Sequence, residues 1–274
     1  MRPLSLIVAL STCALGITLA RLHATSIGSL AAPIAIAVLS SGVLLQIGVN
    51  LINDHADLGR VDYSEADRKR ITRNAMVGFG AVTTACVIGL WLVSLRGWPL
   101  LALGAVGVAG LWAYAADPVN LKARGLGLPA VFFLTGVLMV SGSYYAVTGM
   151  LSLAVMVWSL PFSLFAMVLL LANELRDYER DRDLGLRTFT VRFGFRRGAA
   201  LYIGLSVAIA VLTLALAGVY SIPSIALSIV ALAALPLHAL KAPPDGRVRL
   251  MQSTGRSYAL YSGMLLTGLW SALP

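Results

Sequence analysis

The sequence predicts an all-α polytopic membrane protein, a bundle of nine transmembrane helices with acidic loops on the cytoplasmic side. Three observations predict it. The first is composition: of 274 residues, 58% are hydrophobic and 12% charged, against about 25% charged in soluble domains, and the mean hydropathy is +0.85. A soluble exterior must be largely polar, so a chain this apolar could not hide its surface in water. The second is the recurrence of apolar runs close to the roughly 20 residues that a bilayer demands. The third is charge, which gathers on alternate connections between those runs. Together they exclude a soluble enzyme, a nucleic-acid binder and a disordered tail. The formal charge of +9 would suggest nucleic acid in a soluble domain; here it reads as basic loops facing an anionic leaflet.

The first run, 4–22, follows Arg2 and could pass for a signal peptide. It reaches Leu22 with further spans behind it, so it reads as a retained first helix. The second, 28–52, ends in the polar sequence NDHAD. The third is 76–95. Cys13 and Cys86 sit inside the first and third runs; two such cysteines allow no disulfide framework or zinc spacing and read as packing residues. The fourth (99–116), fifth (129–148) and eighth (222–240) begin at Pro99, Pro129 and Pro223, where a missing N–H costs least. Tyr144 and Tyr145 close the fifth and read as interfacial tyrosines. Pro161 lies inside the sixth (151–174) and predicts a kink. The seventh is 198–219 and the ninth 257–273. The 26 glycines suit close helix approach in lipid.

With nine spans, the N-terminus and the connections after spans two, four, six and eight share one side. Every Lys and Arg except Arg21 and Arg96 falls there, with all 12 acidic residues. The Lys/Arg excess places that side in the cytoplasm. The chain therefore reads as a multi-pass protein of the cell (inner) membrane, N-terminus in and C-terminus out.

Two connections carry most of the polar chemistry: NDHADLGRVDYSEADRKRITRN (53–74) and NELRDYERDRDLGLRTFTVRFGFRR (173–197). Each opens on Asn and carboxylates at the end of an apolar helix, which suggests two related halves, although no wider repeat is visible. In the first, Asn53 and Asp57 are i,i+4 and Asp54 and Asp57 i,i+3, spacings that share a helix face. Asp62 and Asp67 follow. In the second, Asn173, Asp177 and Asp181 step by four along one face. Two such faces, opposed at one end of a bundle, would make an oxygen-rich cage. Hard oxygen ligands select Mg²⁺ or Ca²⁺, and Mg²⁺ typically takes one or two carboxylates beside phosphate oxygens and water. A charged cluster at a helix end is more often a solvated loop. Two of them at membrane depth favour a metal–diphosphate site, because ionisable groups beside hydrocarbon are costly.

The neighbouring cations suit a diphosphate: Arg68, Lys69, Arg70 and Arg73 after the first motif, and Arg176, Arg180, Arg182 and Arg187 in the second. The plain reading of any one of them is a positive-inside anchor. Arg187 stands out because it lies just past the acidic face, in GLRT. His55 sits within the first motif; His23 and His238 lie at span ends. No G-x-S-x-G, Walker A or H-E-x-x-H pattern occurs.

These segments resemble the UbiA superfamily of integral-membrane prenyltransferases over nearly the whole chain. QIGVNLINDHADLGRVD (46–62) is similar to its first aspartate-rich motif and NELRDYERDRDLGLRTFTVRFG (173–194) to its second. Within the superfamily, Arg2-Pro3, QIGVNLIND, RGLGLPAVFFLTGVLMVSGSYY (124–145) and 176–194 resemble the 1,4-dihydroxy-2-naphthoate prenyltransferases of menaquinone synthesis. The chain departs from that pattern in a shorter loop after Asp57, in Leu186 where Lys is usual, and in Glu174 where a second Asn is common.

The resemblance implies a single membrane prenyltransferase domain over 1–274. It implies Mg²⁺-dependent transfer of a polyprenyl group from polyprenyl diphosphate to an aromatic acceptor, here 1,4-dihydroxy-2-naphthoate, giving demethylmenaquinol. Asp54, Asp57, Asp177 and Asp181 would hold Mg²⁺ as the catalytic centre. Asn53 and Asn173 would orient ligands, and Arg68, Lys69, Arg73, Arg176 and Arg187 would contact the diphosphate. The partners implied are the two substrates and the lipid bilayer, not nucleic acid. The alternatives are another acceptor, such as 4-hydroxybenzoate or a porphyrin-type ring, and a transporter. The span interiors are almost uncharged, which speaks against transport. The CDP-alcohol phosphotransferases also use a membrane aspartate cage, but their Asp-Gly-x-x-Ala-Arg pattern does not occur.

Overall fold

The computed structural model of the chain describes residues 3–23, 31–56, 58, 64–115 and 118–272. Among them there are helices and turns and no strand. In chain order, α1 is Pro3–His23, α2 Ala31–Ala56, α3 Glu65–Arg96 and α4 Trp98–Ala115. Helix α5 (Gly127–Val131), a π-wound stretch (Phe132–Leu138) and α6 (Met139–Thr148) run on end to end. Then come α7 (Leu153–Arg176), the short α8 (Tyr178–Asp183) and α9 (Phe189–Phe193), and α10 (Phe195–Val219). Segments wound as 3-10 helix over Pro223–Ala234, Leu237–Lys241 and Pro244–Arg247 lead into α11 (Leu250–Trp270).

Among the described residues, seven segments are long and apolar enough to cross a membrane: Ser5–His23, Ala32–Ala56, Glu65–Arg96, Gly127–Thr148, Leu153–Arg176, Phe195–Val219 and Pro223–Lys241. The spans expected at 99–116 and 257–273 are helical too, as α4 and α11, but fall outside this set. The apolar stretch of α4 is short, Trp98–Tyr114, and α11 opens on the polar run Gln252, Ser253, Thr254 and Arg256. The third span begins earlier than expected, so Arg68, Lys69, Arg70 and Arg73 ride on the first turns of α3 rather than on a loop.

The chain divides into two compact units. One comprises Met1–Asn120 with Ser141–Leu151, the other Leu121–Val140 with Ser152–Pro274. In the first, α2 and α3 cross at glycines. A Cβ on Gly48 would lie 2.8 Å from the Gly78 carbonyl, and one on Gly78 would lie 3.1 Å from the Gly48 carbonyl. Water drives no helix association inside lipid, so such close van der Waals contact is what holds the pair. Ser64 caps α3: its hydroxyl accepts from the Asp67 N–H at 3.1 Å and donates to the Asp67 carboxylate at 2.8 Å. Arg96, at the end of α3, donates to the Ala146 and Val147 carbonyls at 2.7 and 2.5 Å and so satisfies the orphan end of α6. Tyr144 and Tyr145, expected at the lipid interface, are instead buried. Tyr144 packs edge-on to His23, and Tyr145 donates to the Arg96 carbonyl at 3.3 Å. Cys13 is buried as expected, while Cys86 is exposed on α3.

In the second unit α7 is the central strut, with Trp158, Phe162, Phe165 and Leu171 fully buried. Phe165 meets Tyr258 and Tyr261 of α11 at ring centroids of 5.0 and 5.3 Å. Tyr261 shares a 2.6 Å hydrogen bond with Thr213, and Tyr202 a 2.8 Å bond with Thr254. These buried pairs lock α10 to α11, the role polar side chains take between helices in lipid. Pro161 lies inside α7, and the helix continues through it.

Candidate active site

The second acidic motif is built on a helix junction. Helix α7 ends at Arg176, Asp177 leaves helical geometry (φ −93°, ψ 9°), and α8 resumes at Tyr178. The motif is thus not the single continuous helix its spacing predicts. Two hydrogen bonds preserve the step of four across the break: the Asp177 N–H donates to the Asn173 carbonyl at 3.0 Å and the Asp181 N–H to the Asp177 carbonyl at 2.8 Å. The carboxylates therefore stay one turn apart.

Arginine gathers them. Arg176 forks onto Asp177 with Nε–Oδ1 at 2.9 Å and Nη2–Oδ2 at 2.6 Å, the bidentate geometry of strong guanidinium–carboxylate pairs. The same Nη2 donates to Asn173 Oδ1 at 2.9 Å. Arg180 Nη2 lies 3.0 Å from Asp177 Oδ2 and 3.7 Å from Asp181 Oδ1, so one cation sits within reach of both carboxylates. Asp181 is 5% exposed. Burial first, and then the charge of Asp177, push its carboxyl above the ordinary range, while Arg180 and Lys122 pull it back. Lys122 is a site neighbour that spacing does not reveal, since it comes from the distant turn before α5. That turn is held beside the motif by Arg192, which donates to the Arg124 carbonyl.

Glu174, which stands where a second Asn is common, lies close enough to Asp181 to feel its charge. It is buried, and its Oε2 accepts from the Thr190 N–H at 3.0 Å while its carbonyl accepts from the Thr190 hydroxyl at 3.3 Å. It ties α9, just after the GLRT loop, to α7. Arg187 is exposed on that loop and makes no ion pair among the described residues.

The first motif closes α2. Asn53 and Asp54 are half-buried in its last turn and His55 is exposed. Below them the buried Asn50 donates to Ser5 at 2.7 Å and accepts from Gln46 at 3.2 Å, pinning α2 to α1. Asp57 and Asp62 lie outside the described residues, as does the i,i+4 pairing of Asn53 with Asp57. Asp67 is a helix-cap partner, not an open carboxylate, and it also pairs with Arg70 at 2.8 Å. Lys69 pairs with Glu65 at 3.0 Å; Arg68 and Arg73 are exposed.

The donor set fits a hard divalent ion. Asp177 and Asp181 offer only oxygen, already converge on one cation, and have a carboxyl that extra positive charge would relieve. Among the described residues no group of three His, Cys, Asp or Glu is placed to hold a metal. Two carboxylates suit Mg²⁺, which keeps water and phosphate in its remaining positions.

Residues 9–249 match the UbiA prenyltransferase family. The chain belongs to this family. Among its UbiA relatives are the 1,4-dihydroxy-2-naphthoate octaprenyltransferases of Mycobacterium leprae and Mycobacterium tuberculosis, 31% and 30% identical over 192 residues. The match covers 66% of this chain and 65% of each relative, so it spans just under two thirds of their length. The Bacillus subtilis protein of the same name is 25% identical over 188 residues, covering 64% of this chain and 59% of that one. Two solved UbiA homologues share the fold. One, from Aeropyrum pernix, superposes with a TM-score of 0.73 at 20% identity over 98% of both chains. The other, from Archaeoglobus fulgidus and bound to GPP and Mg²⁺, gives 0.68 at 14% identity over 98% of this chain and 97% of its own.

Proposed function

We propose that this UbiA-family chain transfers a polyprenyl group from polyprenyl diphosphate to 1,4-dihydroxy-2-naphthoate, giving demethylmenaquinol, in a Mg²⁺-dependent reaction. The observation that carries the reading is the pair Asp177 and Asp181, one turn apart at the end of a spanning helix and interleaved with Arg176 and Arg180. The GPP and Mg²⁺ held by the Archaeoglobus homologue support the donor class and the metal. The names of the mycobacterial and Bacillus relatives support the acceptor. In this reading residues 1–274 act as one catalytic domain in the cell membrane, with both acidic motifs on the cytoplasmic side.

Asp177 and Asp181, with Asp54 and Asp57 of the first motif, would hold Mg²⁺. When bound, the ion neutralises the diphosphate and eases its departure. Arg176 keeps Asp177 and Asn173 in register and turns its remaining N–H donors to the diphosphate oxygens. Arg180 gives up its bridge between the carboxylates and does the same. Arg68, Lys69, Arg73 and Arg187 add charge that draws in and steadies the anion. The allylic C–O bond breaks with its electron pair leaving on the diphosphate. An electron-rich ring carbon of the acceptor attacks the allylic cation, and the ring then sheds carbon dioxide. Two hydroxyls make the naphthoate ring reactive enough to attack without a strong base beside it. That suits a pair of acidic motifs whose sequences hold a single histidine, His55.

The test uses purified protein in lipid nanodiscs with a radiolabelled prenyl diphosphate, either 1,4-dihydroxy-2-naphthoate or 4-hydroxybenzoate, and Mg²⁺ or EDTA. The expected product is a prenylated, decarboxylated naphthoquinol, formed with Mg²⁺, absent with EDTA and restored by added Mg²⁺. A dominant carboxyl-retaining prenylated 4-hydroxybenzoate would overturn the acceptor. No transfer to any aromatic ring would overturn the reaction.

A further inference from the structure

Helix α8 carries Asp181 and begins beside Asp177, yet it has only six residues and no side-chain cap at its N-terminus. A helix so short cannot hold itself, because nucleation is unfavourable and few bonds repay it. Something outside it must fix its angle. Tyr178 packs edge-on against Phe195 at 5.7 Å, and Arg182 lies 5.9 Å over the Tyr178 ring, but Arg182 is exposed. The strongest hold comes from Arg247, in the turn before α11.

Arg247 is itself fixed on three sides. Its Nε donates to the Ala242 carbonyl at 2.9 Å. Its guanidinium lies 4.0 Å over the Phe195 ring. Its Nη1 donates to both carboxylate oxygens of Glu179, at 2.9 and 3.2 Å. The Arg247 side chain is 10% exposed and that of Glu179 35%, so the guanidinium end of the pair is withdrawn from water while the carboxylate end stays partly solvated. The hold on Glu179 therefore rests on geometry, two hydrogen bonds from a guanidinium that is itself fixed. Nearby, Arg176 Nη1 points to Met251 Sδ at 3.7 Å, so the start of α11 and the turn before it touch both sides of the junction.

Glu179 lies midway between the two aspartates. At about 100° per residue it is roughly 200° round from Asp177 and the same from Asp181, so it points away from the face they share. A pull on Glu179 sets the roll of the helix and hence the aim of the opposite face. We propose that Arg247 is a positioning residue for the second acidic motif, orienting Asp177 and Asp181 through its grip on Glu179. The proposal rests on the reading of these aspartates as the metal-holding pair. Arg247 touches neither substrate nor metal in it and acts only through α8.

The test compares Arg247→Met, Glu179→Gln and the exchanged pair Glu179→Arg with Arg247→Glu, all in the full chain in nanodiscs. Three quantities are read: hydrogen–deuterium exchange of the peptide covering 177–184, Mn²⁺ affinity by electron paramagnetic resonance, and the Mg²⁺ concentration for half-maximal turnover. Each single variant should speed exchange in 177–184. Each should weaken Mn²⁺ binding, and raise the Mg²⁺ requirement, about tenfold or more, the scale typical of an outer partner of a metal ligand. The exchanged pair should recover both. Glu179→Gln changes no volume, so it serves if Arg247→Met fails to fold. Folded single variants with exchange at the original rate would overturn the proposal. So would faster exchange with unchanged Mn²⁺ affinity, which would make Arg247 a merely structural prop. If the chain proves inactive with every acceptor, the reaction reading fails, while exchange and Mn²⁺ binding still decide the role of Arg247.

Discussion

At the scale of single residues, the site carries a conflict that the proposed function would explain. Asp181 is buried and faces another carboxylate, and both conditions oppose its charge. A protein selected for stability alone would place a neutral side chain there. Two effects of Asp181→Asn should therefore separate. Turnover should fall at least about a hundredfold, the usual loss when one preorganised charge is removed from a site. The metal-free protein should melt higher, by about 2–4 °C if the relief is near 1 kcal/mol. Asp177→Asn should lose activity as deeply without that gain, because Arg176 and Arg180 already compensate its charge. Thermal unfolding by intrinsic fluorescence, run beside the prenyl-transfer assay, reads both. Unchanged turnover in either variant would remove these aspartates from the chemistry.

Single helices show how lipid changes what holds a fold together. The crossing of α2 and α3 depends on small residues whose backbones nearly touch, and α2 ends in the first acidic motif. Gly48→Ala places a methyl group against the Gly78 backbone and the Val82 side chain. The expected loss is about 1–3 kcal/mol, typical of overpacking. Gly80→Ala, on the same α3, meets nothing within 4 Å. It should be neutral or should stabilise by up to about 1 kcal/mol through helix propensity. Detergent melting curves of the two variants make the comparison, and equal melting points would mean the crossing is looser than the contact distances state. At the junction of α7 and α8, element and residue meet: the helix breaks at Asp177, yet the i→i−4 bonds on either side keep the spacing that the proposed metal site needs.

For the whole molecule, topology turns on which helices cross. Among the described residues, seven segments have the length and apolarity to do so, with α4 and α11 outside that set. Nine crossings would put every Lys and Arg except Arg21 and Arg96 on one side, the bias that orients membrane proteins. If α4 stopped short of crossing, Lys122, beside Asp181, would come out on the face opposite the first motif. Single cysteines at Ala123 and Gly149, in a chain with Cys13 and Cys86 replaced, distinguish the two cases. With nine spans, a membrane-impermeant maleimide added to intact cells labels position 149 and leaves position 123 unlabelled until the cells are broken. Labelling of position 123 in intact cells would remove α4 from the crossing helices.

Much of this protein is legible in one line of sequence, because the relevant rules are local. Apolar run lengths reveal seven of the nine expected helices as long enough to span, among the described residues, since lipid leaves the backbone no partner outside its own segment. The steps of four among Asn173, Asp177 and Asp181 reveal a shared face, since helix pitch fixes it. Three other features belong to tertiary structure alone. Tyr144 and Tyr145 read as interfacial from their place in the chain but are buried, because His23 and Arg96 from distant helices close over them. Lys122 comes to Asp181, and Arg247 to Glu179, across long stretches of chain where no periodicity connects them. Spacing determines which side chains share a face of one helix. Only packing between helices decides which other charges that face will meet.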